Sequence, residues 1–264
     1  MSTTPSTARA LYLACVAPAG SLEGFACAGL DEKGGQAKAV RLAGFDAVVI
    51  EVDPGVFDQR HTEDIEWLAP RASRHEAIVR AARERTDVMP LGFGGVFSSE
   101  RTLERTLETH RSSIEDFLTD AEGCDEWSVK AVVNRAEAIE RARTRLAESM
   151  ADQAGQAYLL RRKLDSEAVV EAERTVVEQM SAFVDALDDV IVGAIERPVV
   201  QSEAEDGRWT VVHVALLVPR NETDGFDRSI DEHAYELEQH GIDLEITGPW
   251  APYSFVPVFE DGEA

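Results

Sequence analysis

Short apolar runs and helically spaced apolar positions alternate along the first part of the chain. Ala10 to Val16 is an almost uninterrupted apolar run, which predicts a buried strand. Ala37 to Leu42 and Phe45 to Val52 predict two further strands that form a hairpin. Apolar residues recur at helical spacing from Thr62 to Arg85 and are interrupted by Pro70, so we expect a short helix followed by a longer one.

The next stretch leads to a domain boundary. Val88 to Phe97 is apolar and rich in glycine, which predicts a strand or a strand followed by a loop. Ser98 or Ser99 then caps a helix that ends near Gly123. We place the boundary at Glu122 to Asp125, where the connector is short and has no Pro/Ser-rich linker.

The second half of the chain follows the order strand, helices, strand, strand, helix, strand. The predicted elements are a strand at Glu126 to Val133, helices from Arg135 to Leu187, strands at Val190 to Ile195 and Trp209 to Val218, a helix at Thr223 to His240 and a strand at Ile242 to Ile246. This βαββαβ order is typical of ferredoxin-like domains, here with an enlarged first helical segment. The sequence therefore predicts a two-domain α+β protein, with an N-terminal mixed domain (residues 1–123) and a C-terminal ferredoxin-like domain (residues 124–264).

Charge and composition narrow the classes of partner. The 264 residues include 26 Lys plus Arg and 50 Asp plus Glu, a formal net charge of −24. Such a chain repels nucleic acid and anionic membrane surfaces at long range. The longest uncharged run, Ile246 to Phe259, contains three prolines and is shorter than the roughly 20 apolar residues of a membrane span.

The location of the protein is predicted from its cysteines and its first residues. Three cysteines without a CxxC motif indicate neither a disulfide framework nor a zinc ribbon, which suits a reducing compartment. The first residues show no export signal. We expect a soluble, cytoplasmic protein.

The sequence contains none of the common catalytic or cofactor-binding motifs. The phosphate-loop, nucleophile-elbow and HExxH patterns are absent. The stretch Gly92 to Gly95 could approach an anion, but no lysine follows it and Glu100 begins the next helix, so close strand packing is favoured over phosphate binding. We predict no catalytic residue and no cofactor.

The six histidines are scattered along the chain. His233 and His240 lie two turns apart beside acidic residues, which favours a solvated acidic surface over a weak cation site. His213 alternates with valines in a predicted strand, and we interpret it as an interior or sheet-face histidine. The sequence therefore predicts no metal site.

The C-terminal segment Thr247 to Phe259 is unusual because it combines aromatic residues with three prolines. Trp250, Tyr253 and Phe255 lie within it. Since proline fixes φ and removes an amide donor, the segment is expected to be extended and stiff. Two alternatives remain open: the segment covers the core or the domain seam, or it binds a partner.

A set of segments, in chain order, resembles the gas vesicle protein F/L family (GvpF/GvpL). The matching segments are Leu11 to Leu13, Arg74 to Ile78 (RHEAI), Val88 to Phe97 (VMPLGFGGVF), Glu126 to Lys130 (EWSVK), Gly155 to Leu159 (GQAYL) and Gly248 to Phe255 (GPWAPYSF). The chain departs from the family pattern at Gly92, where the family often has Arg, at Gly95, where it often has Thr, and at Ala251, where a second Pro is usual. The first departure argues against a role that needs a cation in that strand.

The resemblance implies a fold and a function. It implies a two-domain α+β protein with a ferredoxin-like C-terminal domain and no enzymatic activity. It also implies an assembly factor or minor vesicle component that binds the major shell protein GvpA and other accessory gas vesicle proteins, in the cytoplasm and on the gas vesicle. The motifs do not separate the F branch from the L branch.

The candidate partner-binding residues are Trp250, Tyr253 and Phe255, together with Phe93 and Trp127. An apolar strip of this kind could cover the gas-facing side of an unassembled shell subunit, while the net charge keeps the complex dispersed. The alternative is a ferredoxin-like small-molecule sensor or an enzyme of unknown substrate, because the fold alone does not decide function.

Overall fold

The computed structural model describes residues 9–31, 35–55, 57, 64–149, 157–199 and 207–259. The chain divides into two compact units, one of Met1–Gly123 with Trp250–Ala264 and one of Cys124–Pro249. The division at residues 123 and 124 lies within the expected boundary, whereas the segment from Trp250 onward groups with the first unit and not with the second. That each unit is an independent folding domain stays a prediction.

The first unit is built on a six-stranded sheet. Its strands are β1 (Ala10–Pro18), β2 (Ala26–Cys27), β3 (Ala37–Leu42), β4 (Phe45–Val52), β5 (Met89–Pro90) and β6 (Val96–Phe97). Their order is β2-β3-β4-β1-β5, with β6 also pairing with β1. The central strand β1 is buried along nearly all of its length, which explains its almost continuous apolar sequence.

Three helices complete the described part of the first unit: α1 (Ile65–Arg83), α2 (Glu100–Thr109) and α3 (Arg111–Asp120). Asp64 caps α1 by accepting a hydrogen bond from the Glu66 amide. The predicted break at Pro70 is wrong, because α1 is continuous through this residue. Pro70 lacks the amide that would donate a hydrogen bond to the Glu66 carbonyl in the first turn of the helix. Glu66 is exposed, so its carbonyl is solvated instead.

The helical segment after β6 is divided in two. Ser99, one of the two predicted caps, accepts a hydrogen bond from the Thr102 amide and begins α2. The expected single helix ends at Thr109, and α3 begins at Arg111. The break at His110 allows both short helices to bury apolar residues, Leu103 and Leu107 on α2 and Ile114 and Phe117 on α3.

The described residues of the second unit form a four-stranded sheet and three α-helices. Its elements are β7 (Cys124–Asn134), α4 (Arg135–Ser149), α5 (Ala157–Asp185), β8 (Gly193–Glu196), β9 (Arg208–Pro219), α6 (Thr223–Gln239) and β10 (Ile242–Trp250). The strand order is β10-β7-β9-β8, and β9 pairs antiparallel with both β7 and β8. The predicted mixed α+β class with antiparallel sheets is therefore confirmed.

One face of the four-stranded sheet carries the core of the second unit. Alternate residues of β7 and β9 contribute to it, including Val129, Ala131, Val214 and Leu216. Buried residues from all three helices join the same cluster: Ala138 and Ala142 of α4, Ala172, Val176, Met180 and Phe183 of α5, and Phe226 and Leu237 of α6. The helices thus cover one side of the sheet, and the intervening strand residues lie on the other side.

No helix in the described part of the chain combines the length and the apolar composition needed to cross a membrane.

Candidate functional site

The C-terminal segment is attached to the first unit through Ala251 and Tyr253. Ala251 is 1% exposed and belongs to the core of the first unit, against which Tyr253 packs. The Tyr253 hydroxyl donates a hydrogen bond of 2.9 Å to Glu76 Oε2 on α1. Residues Tyr253–Phe255 form a 3-10 turn, so the prediction of an extended strip is wrong at these residues. This part of the segment covers the core, as one of the two alternatives expected.

Tyr253 joins a group of rings in tilted and edge-to-face contact, which we call the aromatic cluster. Its members are Tyr12, Phe57, Trp67, His75, Phe93 and Tyr253. The ring centroid of Phe93 lies 5.7 Å from that of Tyr12 and 6.1 Å from that of His75. The ring centroid of Tyr253 lies 6.0 Å from that of His75. The structure thus brings together two of the candidate partner-binding residues, Phe93 and Tyr253, around a histidine that the sequence did not single out.

A hydrogen bond links Tyr12 and His75 within the cluster, while His75 Nε2 is buried and has no hydrogen-bond partner among the described residues. Tyr12 Oη lies 2.8 Å from His75 Nδ1, and both residues are buried. Burial lowers the pKa of His75 and raises the pKa of Tyr12. Burial, followed by the neighbouring Glu76 carboxylate, also raises the pKa of Tyr253. At neutral pH the imidazole is therefore uncharged and both phenols keep their protons, so these three side chains carry no charge.

The remainder of the C-terminal segment exposes apolar side chains. We call Trp250–Phe259 the docking segment. Trp250 is 41% exposed and Val258 is 90% exposed, and Phe255 is partly exposed. Beyond them the ring of Phe259 lies 4.5 Å from His110, between α2 and α3. The segment therefore contacts the first unit at Ala251, Tyr253 and Phe259. Exposed apolar side chains lie before these contacts, at Trp250, and between them, at Phe255 and Val258.

Trp127 has a different setting from the other candidates. It lies on β7 in the second unit, packs against the core there, and its ring centroid is 5.4 Å from that of Phe226. Its indole nitrogen is buried and has no hydrogen-bond partner among the described residues. Trp127 is thus part of the packing of the second unit, and its role in binding a partner stays a prediction.

The glycine-rich stretch Gly92 to Gly95 connects β5 and β6. Gly95 accepts a hydrogen bond of 2.9 Å from the Leu13 amide, and the Leu91 amide donates one of 2.9 Å to Ala14. Gly94 has a φ of 110°, a conformation that favours glycine. The backbone of this stretch is thereby held against β1, which is the close packing that the sequence favoured over phosphate binding.

A pocket in the first unit offers space for a small molecule but no activated nucleophile. It has a volume of about 540 Å³ and is lined by residues that include Cys27, Asp31 and Arg74. Burial raises the pKa of the Cys27 thiol, which disfavours the reactive thiolate. Within the described ranges, the structure contains no group of three or more His, Cys, Asp or Glu residues that could hold a metal ion.

Comparison with known proteins connects this architecture to a family. The model of the family described as gas vesicle synthesis protein GvpL/GvpF matches residues 10–257. Gas vesicle protein L of a Streptomyces species is 27% identical over 233 residues, which cover 81% of this chain and 81% of that protein. Gas vesicle protein L1 of Halobacterium salinarum is 25% identical over 264 residues, which cover 93% and 90%.

Solved structures share the fold at low sequence identity. The crystal structure of the gas vesicle protein GvpF from an Anabaena species has a TM-score of 0.70 at 17% identity and covers 97% of this chain and 99% of that chain. GvpF from Microcystis aeruginosa has a TM-score of 0.67 at 16% identity, with 94% and 99% covered. The sequence motifs, the match along the chain and the common fold agree: the protein belongs to the gas vesicle synthesis protein GvpL/GvpF family.

Proposed function

We propose that this chain is a non-enzymatic accessory protein of gas vesicle formation that binds the major shell protein GvpA and other accessory gas vesicle proteins. It acts in the cytoplasm and at the gas vesicle as an assembly factor or as a minor vesicle component. Family membership supports a gas vesicle role. The observation that carries the binding proposal is the docking segment, which exposes Trp250 and Val258 while Tyr253 anchors it to the first unit.

The docking segment suits a partner with an apolar surface. A shell subunit is apolar on its gas-facing side, and before assembly this surface promotes aggregation. Trp250 and the partly exposed Phe255 offer aromatic contact area, and tryptophan in particular is a frequent hot-spot residue in interfaces. Pro252 and Pro257 restrict the backbone of the segment, so less conformational entropy is lost on binding.

The net charge has a separate role in this proposal. A formal charge of −24 on 264 residues opposes association of the protein with copies of itself. A complex in which the docking segment covers an apolar shell surface would keep this charge exposed to solvent. The protein would therefore hold the shell subunit in a dispersed form until assembly.

The second unit supports the proposal of a ferredoxin-like domain. Numbered within the unit, its strands lie in the order fourth, first, third, second, and its helices cover one face of the sheet. This arrangement agrees with the βαββαβ pattern of the sequence. Ferredoxin-like domains serve many functions, so this assignment describes the scaffold and leaves the functional argument to the docking segment.

A small-molecule sensor is the second candidate function, and the pocket beside Cys27 is the observation that favours it. Its volume of about 540 Å³ is within the range of ligand pockets. A thermal-shift screen of the full chain with nucleotides, metal ions and metabolites tests this function. A saturable increase in melting temperature with one compound class would favour the sensor over the assembly factor.

A pull-down of GvpA from co-expressing cells, washed at low and at high salt, tests the assembly proposal. We expect GvpA to be retained at high salt, because apolar docking is not screened by ions. The variant Trp250→Ala should reduce retention by about tenfold or more, as removal of a hot-spot residue does.

The matched control is Tyr235→Ala on α6, which removes an aromatic residue that is 67% exposed outside the docking segment. This control should retain GvpA as the unmodified protein does. The proposal fails if Trp250→Ala is folded, as judged by circular dichroism, and retains GvpA fully. Tyr253 is unsuitable for this test, because its replacement would also remove the bond to Glu76 and disturb the core.

A further inference from the structure

The second unit carries a small basic cluster on the sheet face opposite its helices. Ser128 and Lys130 lie two residues apart on β7 and share a face, because the intervening Val129 belongs to the core on the other side. His213 on β9 is in register with Lys130. Arg197 follows β8, and its amide donates a hydrogen bond of 2.8 Å to the His213 carbonyl. We call Ser128, Lys130, Arg197 and His213 the basic cluster.

The hydrogen bonds of His213 determine its tautomer. Nε2 lies 2.9 Å from Ser128 Oγ, and the Pro198 backbone forms a hydrogen bond with the ring. Proline has no amide hydrogen, so its carbonyl accepts a hydrogen bond from a ring N–H, which leaves Nε2 of the neutral ring to accept the Ser128 hydroxyl hydrogen. If the ring takes a second proton, Nε2 donates to Ser128 Oγ and the hydroxyl hydrogen is free to bind an anion.

Two cationic side chains lie beside this pair. Burial lowers the pKa of His213, and the nearby charges of Lys130 and then Arg197 lower it further. Neither Lys130 nor Arg197 forms an ion pair within the part of the chain that the structure describes. By contrast, Arg208 at the start of β9 binds Glu245 at 2.7 Å. The cluster therefore places two cationic side chains beside the Ser128–His213 pair on a strongly acidic protein.

We infer that the basic cluster is a binding subsite for a single carboxylate side chain of a partner protein. Arg197 and Lys130 supply charge, and the Ser128 hydroxyl supplies a directed donor once His213 is protonated; together they match the acceptor oxygens of one carboxylate. The chain's charge of −24 repels polyanions such as nucleic acid, which argues for an isolated acid. Ile195 lies on the same face, opposite Ala215, and favours an acidic residue that is flanked by apolar residues in the partner's sequence.

A titration of the full chain, followed through the ring signals of His213 by NMR, tests the subsite. The probe is the capped peptide Val-Glu-Val at constant ionic strength, with the capped peptide Val-Gln-Val as its matched control. We expect a saturable shift of the His213 signals with the Glu peptide and none with the Gln peptide. A bound carboxylate also stabilises the protonated ring, so the pKa of His213 should rise.

Variants then assign the binding to the cluster. Lys130→Gln combined with Arg197→Gln should weaken binding by about tenfold or more, because charge-assisted hydrogen bonds are lost. Ser128→Ala should weaken it by a smaller factor. Arg208→Gln is the control, since Arg208 lies on the same strand as His213 but already forms an ion pair with Glu245.

Three results would overturn the inference. One is equal shifts with the Glu and Gln peptides, and another is unchanged binding in the Lys130→Gln, Arg197→Gln variant. The third is saturation by inorganic phosphate without saturation by the Glu peptide, which would assign the cluster to a phosphate ligand. None of these outcomes depends on binding of GvpA, so failure here leaves the assembly proposal to its own test.

Discussion

Replacement of Tyr12 by Phe removes one hydroxyl group from the aromatic cluster and tests the stability of the first unit. The Tyr12 oxygen lies 2.8 Å from His75 Nδ1, and the two residues are 0% and 4% exposed. Water cannot replace the lost partner at such a site, so Nδ1 becomes a buried, unsatisfied atom. We therefore expect the free energy of unfolding to fall by about 1 to 3 kcal/mol.

Urea unfolding followed by tryptophan fluorescence and circular dichroism measures this change. The midpoint should fall while the slope is unchanged, because the surface exposed on unfolding is the same. Combining Tyr12→Phe with His75→Leu should cost less than the sum of the two single changes, with a coupling energy of about 0.5 kcal/mol or more.

The matched control is Tyr253→Phe, which loses a hydrogen bond to Glu76. Because this bond is only partly buried, water can replace the Tyr253 hydroxyl as a partner of Glu76, and we expect the control to lose less stability than Tyr12→Phe. If the free energy of unfolding of Tyr12→Phe is within about 0.3 kcal/mol of that of the unmodified protein, the buried hydrogen bond contributes nothing and the reasoning is refuted.

Two other predictions concern titration and packing. Burial lowers the pKa of His75 in the folded state below its ordinary value of 6.5, so the stabilising contribution of the neutral ring is complete above pH 6.5 and is lost as the pH falls through the folded pKa. His75→Leu should therefore show a weaker decline of stability below pH 6.5 in urea unfolding, and the decline that remains is due in part to His213. An unchanged decline would contradict this prediction. A Cβ atom on Gly248 would lie 2.9 Å from the Trp127 ring, so Gly248→Ala should lower the free energy of unfolding by about 1 to 3 kcal/mol. A Cβ atom on Gly92 would meet no atom within 4 Å, so Gly92→Ala should change the free energy of unfolding by less than about 0.5 kcal/mol. Equal losses of stability in the two variants would refute the packing argument.

The hydrophobic pattern of the sequence predicts those strands and helices that bury an apolar face of their own. The bounds of β3 and β4 agree with the prediction, and the βαββαβ order of the second unit is also observed. The two-residue strand β2 was missed, since Ala26 and Cys27 carry no periodicity and pair with β3 only in the folded sheet. Pro70 was overinterpreted, because its local cost does not outweigh the burial of the apolar face of α1.

The aromatic cluster could be predicted only in part. Tyr253 stands out in the sequence because it lies in a segment that combines aromatic residues with prolines. The neighbouring His75 lies within the RHEAI segment, but its partner Tyr12 is 63 residues away. A hydrogen bond over this separation depends on the packing of α1 against β1, and no local spacing of residues indicates it.

The docking segment shows why its two proposed roles must be tested at different residues. Tyr253 binds Glu76 across 177 positions of the chain, and Ala251 is buried in the core of the first unit. Deletion of the segment would therefore destabilise the first unit, and any loss of binding would have two explanations. Trp250 and Val258 expose their side chains, so substitutions there change the surface and leave the buried anchors in place. Loss of partner binding in such variants, without a change in unfolding, is the result that separates recognition from folding.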